Sequence, residues 1–279
     1  MPPCYKHCPA YQPFNVYWAE QQAILNTEFR DGNVPAGYQQ LRVLKESLTF
    51  LPPQGKRART RSDTAGYPLD LMRYYAPGED PRFGKIEFAF SCDVTPSFKM
   101  AVSEVKGAPE YRYLATRELL AEQELPGLAP QQQEMPFPTM DFEGNRYKIF
   151  GIVTNMDWEG EKLSHWQHER CGKSEEAHAV LKNDLAGGRL PSQLFGANAA
   201  WWWLAVLAFN LNSIMKRRVL GRGFAEKRLK AIRFLLINLP GRVLERARRL
   251  IVRLVESPMA TLLLEVRCRI LGLVRVSAG

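Results

Sequence analysis

Apolar positions along the chain keep two different periods. Within 35–51, Leu41, Leu44, Leu48 and Leu51 recur at steps of 3, 4 and 3, the period of one helix face, and Pro52 and Pro53 end the run. Before it, 14–18 and 23–30 are rich in β-branched and aromatic residues and read as two strands, closed by the turn pair Asp31-Gly32. A short helix is expected over 69–75, and strands over 84–93 and 147–155. Strand, strand, helix, strand, helix, strand is the order of an α/β fold whose sheet is paired in both senses. The segment 97–140 breaks this rhythm. It offers one strand, 110–116, and a Pro- and Gln-rich loop, 125–138, and reads as an insertion.

The next stretch, 165–188, predicts a helix that carries acids. Ser174 is placed as N-cap, with Glu175 and Glu176 in the first turn, where carboxylates meet the positive end of the helix dipole. Glu175 and Lys182 are seven residues apart, two turns, so they share a face with His178 and Leu185. Gly187-Gly188 and Pro191 stop the helix. The apolar run 194–211 follows. It is short for a bilayer and interrupted by Asn198 and Asn210, so it predicts a buried helix, with Trp201, Trp202 and Trp203 in core or interface. Two more helices are expected, 225–237 and 241–255. In the second, Val243, Ala247, Leu250 and Leu254 make an apolar stripe, and Arg242, Arg246, Arg249 and Arg253 make a basic one at the same steps of 4, 3 and 4.

Charge sharpens this picture. The 279 residues carry a net +9. Residues 214–279 hold sixteen Lys or Arg against four Asp or Glu, +12, so the remainder carries 9 − 12 = −3. A near-neutral body with a basic tail favours an anionic partner, and four arginines of one sign along one stripe point to phosphates. Five scattered cysteines and no secretory leader suit a reducing cytoplasm. Cys4 and Cys8 with His7 lack the second ligand pair that a zinc site needs.

Several segments resemble the DDE insertion-sequence transposases, ribonuclease H-like enzymes with a Tyr-x2-Arg-x3-Glu-x6-Lys signature. Glu175 and Lys182 fit its second half. In its first half, Cys171 takes the place of the arginine, with Arg170 one residue early, and His168 takes the place of the tyrosine. Tyr11–Trp18, Glu28–Asn33, Arg61–Tyr67 and the run from Phe195 to Leu211 are also similar to this group. The resemblance implies a ribonuclease H-like mixed sheet with helices, an inserted region and a C-terminal helical region. It makes Asp63, in an Arg-x-Asp-x-x-Gly setting at a strand end, and Glu175 the catalytic, metal-binding carboxylates. Such sites use three carboxylates for two Mg²⁺ or Mn²⁺ ions that cut and join phosphodiesters. Lys182 and Arg170, with the four tail arginines, would contact DNA.

The first carboxylate of the family lies upstream of the segment matching Tyr11–Trp18, and the ten residues before Tyr11 contain no acid. Asp31 and Asp93 are the nearest alternatives. The expectation is therefore a truncated copy, inactive alone. It divides into 1–93, the first part of the core without its first strand; 94–146, the insertion; 147–213, the second part with the acidic helix; and 214–279, the basic tail. Its partner would be DNA, at insertion-sequence ends and target, with no membrane, a homodimer left open, and a place in the bacterial cytoplasm at the nucleoid. The alternative is a non-enzymatic DNA-binding protein working through the basic tail. A weaker rival is a membrane-surface protein using the arginine stripe and the Trp run.

Overall fold

The computed structural model describes residues 10–63, 69–95, 112–119, 138–142 and 144–276. Cys4, His7 and Cys8, residues 64–67 of the Asp63 segment, and the loop at 125–137 lie outside them. The chain divides into two compact units, Pro2–Phe14 with Arg30–Lys173, and Asn15–Phe29 with Ser174–Gly279.

The first unit is built on a mixed sheet. β3 (Arg59–Ser62), β4 (Glu87–Cys92), β7 (Asn145–Thr154) and β5 (Arg112–Leu119) lie side by side in that order, and β6 (Thr139–Phe142) adds to β7. β3 and β4 run parallel with Ser62 opposite Phe90, whereas β4 and β5 are both antiparallel to β7. This is the mixed pairing expected from the element order. β4 reads Glu-Phe-Ala-Phe-Ser-Cys and buries residues on both faces, as a central strand must. On one face Phe88 and Phe90 pack with Val153 against Leu48 of α1 (Gln40–Thr49) and Leu71, Met72 and Tyr75 of α2 (Leu69–Tyr75). On the other, Ala89 and Ile152 meet Leu163 and Trp166 of α3 (Gly160–Ala179). Asn155 extends the β7 ladder by side chain: its Oδ1 accepts from the Phe88 N–H at 2.9 Å and its Nδ2 donates to the Ile86 carbonyl at 2.8 Å.

The helix α3 corrects the expected start of the acidic helix. It begins at Gly160, so Ser174 lies within it, and Glu175 and Glu176 are not in its first turn. The reason is burial. Leu163 and Gln167 are 0% and 3% exposed, and apolar packing on the sheet, not a cap, holds the early turns. A wide π-type turn follows at Val180–Asp184, where the Leu185 N–H donates to the Val180 carbonyl five residues back. The Gly187 N–H then donates to the Leu181 carbonyl at 2.8 Å, and the helix ends there, as the paired glycines foretell.

The second unit joins the hairpin strands β1 (Phe14–Trp18) and β2 (Ala23–Glu28) to α4 (Phe195–Met215). Asn210 pairs with the Ile24 backbone like a neighbouring strand, accepting from its N–H and donating to its carbonyl, both at 2.8 Å. Trp202 is 2% exposed, packs near Phe29, and donates through Nε1 to Thr27 Oγ1 at 2.8 Å. The run 194–211 is thus a core-bearing helix. Among the described residues no helix is long and apolar enough to cross a membrane.

The tail departs from the expected helices. The segment 225–237 is helical only from Leu229, as α5 (Leu229–Ile232) with a π-type turn at Arg233–Ile237. The expected helix at 241–255 is instead a β-hairpin, β8 (Gly241–Arg246) and β9 (Arg249–Leu254). Arginine steps of 4, 3 and 4 satisfy both geometries. Two steps of four keep residues on one face of a strand, and the step of three spans the two-residue turn Ala247-Arg248, both at positive φ. The β-branched Val243, Ile251 and Val252 tip the choice toward strands. A sixth helix, α6 (Pro258–Val276), was not foreseen. Its signal was present: Ser257 accepts the Ala260 N–H at 3.1 Å as N-cap, and Pro258 takes the first helical position.

Candidate active site and nucleic-acid interface

Asp63 directly follows β3 and is exposed, at the strand end where the sequence placed it. Four side chains of α3 shape its surroundings. Gln167 Nε2 donates to the Ser62 carbonyl at 2.6 Å and to Ser91 Oγ at 3.2 Å, tying the helix to the ends of β3 and β4. Arg61 lies over the Trp166 ring at 4.7 Å, donates to the Trp166 carbonyl, and stands 3.5 Å from Glu169. One turn on, Arg170 Nη1 stands 3.9 Å from Asp63 Oδ2. Asp63 and Arg170, both singled out in the sequence, are therefore neighbours in one unit, and Gln167 is the residue that sequence reading missed. A glutamine among the buried positions of a helix was its signal.

Of the alternative aspartates, Asp93 leaves β4 one residue past its end. Since β3 and β4 are parallel neighbours, Asp63 and Asp93 emerge at the same end of the sheet. Asp31 sits in an isolated bridge with Tyr11.

Glu175 and Lys182 belong to the other unit. Glu175 is exposed on the last turns of α3, and Lys182 is exposed within the π-type turn. That wider turn rotates Lys182 back from the meridian that a pure α-helix would share with Glu175. Glu176 is distinguished from Glu175 by its company. Burial pushes the Tyr17 phenol above its ordinary value, and the Glu176 carboxylate adds to this while Arg217 opposes it. Burial lowers the Lys216 ammonium, and Glu176 pulls it back up. Glu176 is thus tied electrostatically to Tyr17 and Lys216. Two residues past Lys182, Asp184, its side chain 6% exposed, pairs with Arg228 at 3.1 Å and anchors the turn.

Asp63 and Glu175 each offer carboxylate oxygens, donors whose chemistry suits a hard divalent cation. The donor number does not. Among the described residues no group of three His, Cys, Asp or Glu side chains could hold a metal ion, and the Asp63 carboxylate meets a guanidinium. An open groove of about 540 Å³ lies between β5 and the first turns of α3, lined in part by Glu161, Ser164, His165 and His168, but it holds none of the residues above.

Arg242, Arg246, Arg249 and Arg253 come together on the β8–β9 hairpin. Arg242 stands opposite Arg253, and Arg246 opposite Arg249. All four are exposed.

Residues 139–274, or 136 of the 279, match the family model described as Transposase DDE domain group 1. No curated protein and no solved structure matches the chain. The matched span runs from β6 to α6 and contains Arg170, Glu175, Lys182 and the arginine hairpin, and Asp63 precedes it. The mixed α/β architecture with its mixed sheet is consistent with a ribonuclease H-like DDE domain.

Proposed function

We infer, from the match of residues 139–274 to the Transposase DDE domain group 1 model, that the chain binds DNA at insertion-sequence ends and target but does not cut it unaided. Asp63 and Glu175 are its carboxylates for a divalent ion, Mg²⁺ or Mn²⁺. Lys182 and Arg170 face the nucleic acid, as do the tail arginines. The observation that carries this reading is that the matched span includes the helix bearing both Glu175 and Lys182. A cytoplasmic, nucleoid-associated protein would follow from it.

The want of strand cleavage rests on the donor set. Among the described residues no three carboxylates come together, as a two-metal centre requires. The Arg170 guanidinium beside Asp63 also repels a second cation and balances the charge of the carboxylate in its place. Arg170 keeps Asp63 oriented, which is a positioning role, and its own N–H groups remain within reach of a phosphate.

Two measurements test this. Mn²⁺ titration by calorimetry on the wild type, Asp63→Ala and Glu175→Ala should show weak binding that both substitutions reduce. Binding untouched by either would remove both residues from the site. Incubation of the purified chain with insertion-sequence-end DNA and Mg²⁺ should leave the strands intact. Cleavage that Asp63→Ala abolishes would refute the claim that the chain is inactive alone.

A further inference from the structure

We propose that the β8–β9 hairpin is a ribbon that lies across one groove of duplex DNA, with one arginine pair on the phosphates of each groove edge. The proposal rests on the reading of the chain as DNA-binding, not on any catalysis.

The register fixes the layout. Residues directly opposite in an antiparallel pair share a face, and so do residues an even number apart along a strand. Arg242, Arg246, Arg249 and Arg253 therefore all project from one face. The same face carries Leu244 opposite Ile251, midway between the two pairs. The other face holds Val243 opposite Val252 and Glu245 opposite Leu250, so the hairpin's one acid is kept off the arginine face.

Like charges placed directly opposite each other destabilise a hairpin. Here two such pairs stand in a two-stranded ribbon whose residues are nearly all exposed, and among the described residues none of the four arginines has a carboxylate partner. A polyanion supplies the missing charge. The dimensions select its form. Within a pair the strands are about 5 Å apart, and the two pairs are four residues apart along the strand, about 14 Å. The major groove of B-DNA is about 12 Å wide and admits a two-stranded β-ribbon. A ribbon crossing it sets Arg242 and Arg253 on one edge and Arg246 and Arg249 on the other, with Leu244 and Ile251 over the open floor. Phosphate contacts of this kind carry affinity and register, not sequence.

The test uses the full chain and a labelled duplex of about 24 bp with arbitrary sequence, followed by anisotropy between about 50 and 200 mM salt. Each phosphate neutralised steepens log K against log salt by about 0.9 for a duplex. Replacing all four arginines with alanine should make the slope shallower by roughly 3–4, and replacing either pair alone by about half that. Over that salt range the wild type should lose about 10²-fold more affinity than the fourfold variant. On a single strand of the same length the change should be at most half as large, because one strand does not reach both groove edges. The fourfold Arg→Lys variant should keep the wild-type slope, which separates loss of charge from loss of fold. Wild-type binding with a slope change below one, or an equal change on single strand and duplex, would overturn the ribbon and leave DNA binding standing. Flotation of the wild type with anionic vesicles that duplex DNA does not reverse would overturn it in favour of a lipid surface. No duplex binding at low salt would instead remove the DNA reading itself.

Discussion

Gly187 and Gly188 make a matched pair for testing how the turn that carries Lys182 is held. A Cβ built on Gly187 would lie 2.8 Å from the Leu181 carbonyl oxygen and 3.3 Å from Trp202 Cζ3. Neither neighbour is free to move. The Leu181 carbonyl already accepts the Gly187 N–H, and Trp202 is locked by burial against Phe29 and by its bond to Thr27. A Cβ on Gly188 would meet the Lys182 carbonyl at 3.5 Å, an ordinary contact. Overpacking costs about 1–3 kcal/mol, and replacing glycine with alanine returns about 0.4–1 kcal/mol by restricting the unfolded chain. Gly187→Ala should therefore destabilise by about 1–2 kcal/mol and Gly188→Ala should be near neutral or slightly stabilising. Urea unfolding followed by tryptophan fluorescence reports on the right place, since Trp201, Trp202 and Trp203 all lie on α4. Equal midpoints for the two variants would refute the reasoning, because the two glycines differ mainly in what a methyl group would strike.

Three further outcomes follow from buried polar groups. Asn155→Ala strands the Phe88 N–H and the Ile86 carbonyl, both on residues with no exposed surface, and should cost about 2–4 kcal/mol by urea denaturation. Asp80 is held below its ordinary 3.8: burial works to raise it, but the N–H groups of Phe83 and Arg82 and the Tyr74 hydroxyl outweigh this. A depressed carboxylate stabilises the fold above its unfolded value and loses that contribution as pH falls through its folded one, so stability should be flat from neutrality to about 4 and drop below it. Asp80→Asn should remove that acid-side loss, as stability measured at both ends of the range would show. Burial pushes the Cys92 thiol up to about 12, whereas Cys268 is exposed. Maleimide labelling near neutral pH with peptide mapping should mark Cys268 in the native chain and Cys92 only after unfolding.

The fold was readable where a segment is long and its period belongs to one geometry. α2 falls on the residues its pattern names, and β4, β7 and α4 lie within a few residues of theirs. Misreadings came where local signals compete. Ser174 before two glutamates looks like a cap, yet the helix starts fourteen residues earlier, because Leu163, Trp166 and Gln167 find a sheet to pack on. No local rule contains that sheet.

The candidate site divides along the same line. The place of Asp63 at a strand end was legible because a strand followed by an acid is local information, and that of Arg170 on a helix was legible from the stretch around it. That Arg170 turns back to Asp63 was not, because it depends on α3 crossing the end of β3, which Gln167 enforces through the Ser62 carbonyl and Ser91. The arginines of the tail show the converse. Their spacing cannot choose between helix and hairpin, yet both geometries gather them on one face, so the four charges share a surface whichever element carries them. What the hairpin changes is the shape of that surface. A helix would string four charges along a single line, whereas the hairpin sets them at the corners of a rectangle about 5 by 14 Å, and only the second arrangement has a width to compare with a groove.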